Sequence, residues 1–289
     1  MRRIRMSSKV TGSVTAAAAL FSLFYGAAQA APPPTDRAAD LWRASQNFMK
    51  NGKFKEAREK LNESLKENST NAKAYADRGL ANDKLGMYKE AIDDCTRAIQ
   101  LDEKLLAGWV NRAWAYNKTR QYKKALQDCN KAIELDANCA MAYVNRAHAY
   151  NGLGHYQKAI ADADKVLSMK SSSHAQSLAL INKSHALHKQ GNHGEAADAA
   201  TRAIQLSPKM PAAYINRARA LAKQGDHQNA VNDYSKALKY NPRLAHVYHK
   251  RGLSYQALAN EPKAKADFET AKKRGFKEIA APSKVADPR

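Results

Sequence analysis

His185 and His188 stand one helical turn apart, as do His246 and His249. Two imidazoles so placed on a helix can hold zinc when a cysteine or carboxylate completes the set. Neither pair has such a residue at an obvious spacing, so no metal is expected. The chain has no glycine-rich phosphate loop and no nucleophile elbow. No catalytic residue can be named, no cofactor is expected, and the sequence reads as a non-enzyme. An Asn-Arg pair does recur, in "GWVNRAWAY" (108–116), "AYVNRAHAY" (142–150) and "AYINRARAL" (213–221). An amide can donate to and accept from a peptide backbone together, and a guanidinium can grip a carboxylate through two parallel hydrogen bonds. These residue types bind, or hold a framework, rather than react.

The pairs sit in a longer repeat. "AYADRGLANDKLGMYKEAIDDCTRAIQLDE" (74–103), "GWVNRAWAYNKTRQYKKALQDCNKAIELDA" (108–137) and "AYVNRAHAYNGLGHYQKAIADADKVLSMKS" (142–171) align with a period of 34 residues. Seven copies fit: 38–71, 72–105, 106–139, 140–173, 177–210, 211–244 and 245–276. Position 4 of the repeat is aromatic in Tyr75, Trp109, Tyr143, Tyr214 and Tyr248, position 8 is small, and position 11 is apolar. A 4-8-11 spacing is one face of a helix. Glycine stands at position 15 in five copies, where a turn is needed. Position 20 is alanine in all seven copies, from Ala57 to Ala264, and position 27 in five. Small side chains there let two helices approach closely. Pro208 and Pro242 at position 32 stop the second helix. In this alternation of aromatics, small residues and spaced alanines the chain resembles the tetratricopeptide repeat (TPR) family. The resemblance covers nearly all of the chain after its first 37 residues. It implies an all-α, right-handed superhelical solenoid with first helices lining a concave groove, and a role in protein–protein interaction.

Comparing the repeats with each other separates the Arg from the Asn. Arg78, Arg112, Arg146, Arg217 and Arg251 occupy position 7, and each of those copies has aspartate at position 23. Where position 7 is Lys183 or Ala44, the aspartate is gone. Positions 7 and 23 lie eight residues either side of the turn, so five salt bridges within the hairpins are expected. The Asn is position 6. At 100° per residue, positions 2, 6, 9 and 13 fall within about 40° of the direction opposite the 4-8-11 face. Asn111, Asn145, Asn182 and Asn216 then form a ladder along the groove, which resembles the asparagine ladder of O-linked N-acetylglucosamine transferase and implies contact with an extended peptide. Trp114, His148, His185 and Arg219 at position 9, Lys118, Lys189 and Lys223 at position 13, and Lys250 at position 6 complete the expected peptide-binding set. Of 28 such positions nine are Lys or Arg and one, Asp77, is acidic. The family's two-carboxylate clamp is incomplete: copies five to seven offer Asn216 and Lys250 but have Ile181, His185 and His246 at its other places.

The ends and the charge suggest where such a scaffold works. "MRRIRMSSK" is basic, an apolar stretch follows, and Ala28 and Ala30 flank Gln29 as signal peptidase requires. Residues 1–30 read as a signal peptide cut after Ala30, 31–37 as a Pro-rich linker and 277–289 as a disordered basic tail. The apolar run is too short for a comfortable membrane span, so no transmembrane segment is expected after cleavage. Beyond residue 30 the chain has 44 Lys and Arg against 27 acids, a net charge of +17. The expectation is an exported protein, periplasmic or extracellular, that holds an extended acidic peptide. The alternative is an anionic envelope polymer or membrane surface bound by charge; export makes nucleic acid the least expected partner. Cys95 and Cys129 share a position in adjacent copies, on helices whose axes should lie roughly 8–10 Å apart. That is too far for a disulfide, so buried free thiols are expected; a bond from Cys139 stays open.

Overall fold

The computed structural model describes residues 36–277, which form fourteen α-helices and, among those residues, no strand. The expected signal segment, all but the last two residues of the linker and all but the first of the tail lie outside the described residues. The helices run as seven hairpins. They are α1 (Arg37–Lys50) with α2 (Phe54–Glu67), α3 (Ala72–Lys84) with α4 (Tyr88–Leu101), α5 (Leu106–Lys118) with α6 (Tyr122–Leu135), and α7 (Ala140–Gly152) with α8 (Tyr156–Ser168). Then come α9 (Ser173–Lys189) with α10 (His193–Leu206), α11 (Pro211–Lys223) with α12 (His227–Tyr240), and α13 (Ala245–Ala257) with α14 (Glu261–Lys273). Every helix packs on its chain neighbours, and α3, α5, α7, α9 and α11 also touch one another in succession. Second helices make no comparable contact with each other, so the first helices form the inner wall of the stack.

The helix ends follow local chemistry. Asp36, Asn71 and Ser172 cap α1, α3 and α9 by accepting hydrogen bonds from Ala39, Ala74 and Ala175. Pro211 and Pro262 fall in the first turns of α11 and α14, where a missing N–H costs nothing. At the turn, Gly86 has φ of 80° while Met87 N–H bonds back to Asn82 O at 2.8 Å. The third and seventh hairpins hold the same left-handed turn without glycine, at Arg120 (φ 59°) and Ala259 (φ 54°).

Alanines at positions 20 and 27 are buried at the helix contacts, among them Ala57, Ala91, Ala125, Ala159, Ala196 and Ala230. Position 8 must stay small. A Cβ on Gly79 would lie 2.5 Å from Cys95 Sγ, and one on Gly252 would lie 2.6 Å from the Phe268 ring. Cys95 and Cys129 are buried free thiols whose ionisation burial pushes well above the usual thiol range. Cys139 is also free and half-buried.

Arg37, expected as linker, is the first residue of α1. The three residues 174–176, which lie between the fourth and fifth copies, are helical and make α9 a 17-residue helix. Ser172 supplies its cap, so the insertion lengthens a helix instead of opening a hinge.

Candidate functional site

The five arginines at position 7 belong to the framework. Each uses Nε and one terminal nitrogen on both carboxylate oxygens of its aspartate, for example Arg146 with Asp162 at 2.8 and 2.8 Å and Arg217 with Asp233 at 2.6 and 2.8 Å. The remaining nitrogen reaches across to the second helix of the preceding hairpin. There Arg78 meets Asn62 (2.8 Å), Arg112 Thr96 (3.1 Å), Arg146 Asn130 (2.9 Å), Arg217 Thr201 (3.2 Å) and Arg251 Ser235 (2.9 Å). One guanidinium thus closes its own hairpin and ties it to its neighbour. The aspartate hydrogen bonds hold Arg146, Arg217 and Arg251 above the usual guanidinium range.

The fifth hairpin swaps partners. Its position 23 is Ala199, which cannot answer a cation, but the contact site on the preceding hairpin is Asp164. Lys183 Nζ bonds Asp164 Oδ1 at 2.6 Å. The acid has moved from the hairpin's own second helix to the one before it, and the cation has followed.

The asparagine ladder exists, but it faces the wrong way for a ligand. Asn111 Nδ2 donates to Ala76 O (3.1 Å), Asn145 to Val110 O (3.0 Å), Asn182 to Val144 O (3.0 Å) and Asn216 to Ile181 O (2.9 Å). Each amide is bound to the backbone of the preceding first helix. Asn145 is 0% exposed, and Asn182 and Asn216 are 7% exposed. This corrects the expectation of four amides gripping a peptide. Position 6 sits on the side of the helix that meets its neighbour, and a helical carbonyl has a second lone pair to offer. Asn117 and Asn151 stitch in the opposite direction, to Asn145 O (2.8 Å) and Asn182 O (2.9 Å). Asn111 keeps the most surface on the inner wall, where it lines a hollow with Leu80, Val110, Trp114, Met141 and Leu178, and the small exposed parts of Asn182 and Asn216 line a second beside Tyr122 and His148.

The remaining expected residues divide into two regions. In the N-terminal half the cations are already answered. Trp114 is half-buried, its Nε1 donates to Asp83 Oδ2 at 3.0 Å, and the Lys118 and Lys84 ammoniums lie 4.4 and 5.9 Å from its ring centre. Lys84 also lies 3.7 Å from Asp83. Burial lowers the Lys118 ammonium while Asp83 supports it. Asp77, the one acid of the stripe, accepts from Trp42 (2.7 Å) and Gln46 (2.6 Å). The row of position-13 lysines then breaks at Gly152. A Cβ there would lie 2.4 Å from the Tyr122 ring, so a lysine cannot fit while Tyr122 covers that spot. His148, 6.5 Å from the Tyr122 ring, shares this divide with the side chain of Asn182, to which it hydrogen-bonds.

The C-terminal half is different. A hollow across hairpins five to seven is lined by His185, His188 and Lys189 of α9, Arg219, Ala222 and Lys223 of α11, His227 and Tyr234 of α12, and Lys250, Leu253 and Ser254 of α13. Four cations and three imidazoles face it and no carboxylate does. Burial, then Arg219 and Lys189, press His185 down to about 4; burial, His193 and the same cations press His188 to about 4. Position 12 (Asp83, Asn117, Asn151, His188) and position 17 (Tyr122, His227) reach the inner wall or its seams although the helical wheel did not select them. Tyr122 with Gly152, a large residue beside the interior gap of a lysine row that ends at Ala257, was the available signal. Among the described residues no group of His, Cys, Asp and Glu could hold a metal ion, and no helix is long and apolar enough to cross a membrane.

Comparison with known proteins agrees with this architecture. Tetratricopeptide repeat models match residues 72–105, 107–139 and 144–211, and a TPR repeat model matches 218–258. Among solved structures the chain is similar to a tetratricopeptide repeat protein from Parabacteroides merdae, with 24% identity, a TM-score of 0.62, and coverage of 83% of this chain and 94% of that one. It is similar to PilW, a type IV pilus biogenesis factor, with 20% identity, a TM-score of 0.61, and coverage of 70% and 92%. The Cut9–Hcn1 assembly of the APC/C gives 14% identity and a TM-score of 0.68 over 84% of this chain and 44% of that one. At these identities the likeness is one of fold. No curated protein sequence matches the chain. With fourteen helices in seven stacked hairpins and repeat models matching along the stack, this chain belongs to the tetratricopeptide repeat family.

Proposed function

We propose that this TPR scaffold is exported and holds an extended, acidic segment of a partner protein along its inner wall, with hairpins five to seven as the principal contact. TPR arrays serve protein–protein interaction. The observation that carries the acidic reading is the charge of the C-terminal hollow: Lys189, Arg219, Lys223 and Lys250 line it without a carboxylate. Such a cluster costs self-repulsion in the free protein and is relieved by an anion. The N-terminal hollow, walled by Leu80, Val110, Met141 and Leu178 beside Trp114, suits an apolar side chain of the same segment. Export rests on the basic, apolar and small-residue pattern of residues 1–30.

Titration of a twelve-residue Asp/Gly peptide carrying one leucine tests the reading. Saturable binding that weakens about threefold in Lys223→Gln and stays unchanged in Lys118→Gln is expected, since an exposed charge contributes up to ~1 kcal/mol. Equal effects of the two substitutions would remove the assignment to the C-terminal half. Affinity that collapses with salt in proportion to many released counterions would favour an anionic polymer instead. Export is checked by fractionating cells and sequencing the mature N-terminus, expected at Ala31; a full-length cytoplasmic product would refute it.

A further inference from the structure

Arg219 differs from the five position-7 arginines of the stack. Those have bidentate carboxylates, whereas Arg219 is half-buried with no ion pair and no hydrogen-bond acceptor among the described residues. A desolvated guanidinium without an acceptor is costly, and its planar fork fits a two-oxygen anion. Imidazoles surround it: the charge of Arg219 is felt by His185 and His188 on α9 and by His246 on α13.

Nothing near these imidazoles neutralises them. On α9 itself Lys189 adjoins, and α7 contributes His148. From α10 comes His193, its ring centre 4.9 Å from that of His188. From α11 come Arg219 and Lys223, from α12 His227 and Tyr234, with the exposed N-cap Asp226 beside His227, and from α13 Lys250. The carboxylate that α8 turns toward α9, Asp164, is held by Lys183 at 2.6 Å. His188 Nδ1 and His227 Nδ1 are buried without a hydrogen-bond partner.

We propose that Arg219 is the centre of a proton-coupled carboxylate subsite: an acidic side chain of the partner docks on its guanidinium, and His185 or His188 takes up a proton as it does so. The idea rests on the acidic-segment reading above and adds a location and a regulator to it. In the empty hollow an added proton on His185 or His188 is opposed first by burial and then by like charge. A bound carboxylate reverses the local field, so an imidazole held near 4 returns toward its ordinary value near 6.5. Binding and protonation then reinforce each other between those two values. The partner is gripped more tightly in mildly acidic surroundings and released toward neutral pH.

The test is isothermal titration of the Asp/Gly peptide into the full protein at pH 7.5 and 5.5, in two buffers of different ionisation enthalpy. The peptide's carboxylates stay ionised over that range, since aspartate titrates near 3.9. Affinity about tenfold higher at pH 5.5 is expected for one imidazole shifted across this interval, with net proton uptake on binding. His185→Gln/His188→Gln should bind with about the same affinity at pH 5.5 as it does at pH 7.5, and without proton uptake. Arg219→Gln should bind about tenfold more weakly at pH 5.5; melting curves confirm that each variant is folded. Binding without proton uptake, or a gain retained in the double histidine variant, overturns the proton coupling and leaves the acidic-segment reading standing. Unchanged affinity in Arg219→Gln overturns the location. No binding at either pH by the folded parent overturns the acidic-segment reading itself.

Discussion

The two halves of the inner wall are built on the same frame and differ in what their cations meet. In hairpins two to four, Lys84 and Lys118 flank the Trp114 ring beside Asp83, and Asp77 is held by Trp42 and Gln46. The charge is spent inside the protein. In hairpins five to seven, Arg219 and its neighbouring lysines and histidines face open space with no carboxylate. Sequence counting registers both halves as basic. A stripe of lysines can serve a ligand only where the fold leaves it unanswered. Tyr122 over Gly152 marks the boundary.

If the halves differ only in groove side chains, the frame must cost the same to break on either side of that boundary. Arg146→Ala and Arg217→Ala are each expected to destabilise by about 3 kcal/mol, the lower end for breaking a buried pair, because each leaves an aspartate unanswered and unties two hairpins. Urea unfolding followed by far-ultraviolet circular dichroism measures both. A cost in one half more than twice that in the other would mean the frame itself is graded. Lys183→Ala, whose partner Asp164 is half exposed, should cost under ~1 kcal/mol.

The boundary can be tested directly. Gly152→Ala forces a methyl group into the Tyr122 ring and is expected to destabilise by about 2 kcal/mol as an overpacked contact. Combining it with Tyr122→Ala should recover part of that loss, and a double variant no better than the single one would show that the ring is not what excludes a side chain there.

Acid should weaken the C-terminal half first. The folded values of His185 and His188 lie near 4, below the ordinary 6.5. As pH falls below 6.5 the unfolded chain binds protons that the folded chain does not, so stability is full above that value and declines toward 4. The melting temperature is expected to drop by about 5 °C between pH 7 and pH 5, and less in His185→Gln/His188→Gln. Hydrogen exchange that quickened at acid pH in α3 and α5 but not in α9 and α11 would reverse the comparison.

The smallest expected effect lies outside the groove. Arg120 and Ala259 hold a left-handed turn that five other hairpins give to glycine. Arg120→Gly should stabilise by up to ~1 kcal/mol through relief of that conformation, with peptide affinity unchanged. A shift in affinity would link the turns to the groove.

Much of the frame was legible because it repeats. The 4-8-11 face, the alanines at 20 and 27, the turn glycines and the coming and going of Arg with Asp could all be read by comparing copies, since each depends on contacts within one hairpin. The Lys183–Asp164 swap was equally available, in an acid that appears one copy earlier just where Ala199 removes the usual one. The asparagines were misread for a physical reason. A helical wheel gives a direction from one helix axis, and position 6 points both toward the groove and toward the adjacent first helix. Which of the two a side chain reaches depends on how closely the helices approach.

The hairpin, its period and its internal clamp follow from the amino-acid order alone, because they are set by helix geometry and by residues 16 apart in one chain segment. Which groups are left for a partner depends instead on how the hairpins stack. Asn145 is taken by the Val110 carbonyl and Trp114 by Asp83, while Arg219 is taken by nothing in the described protein. Availability follows from the packing of neighbouring hairpins, whose side chains compete for the same donors and acceptors before any ligand arrives.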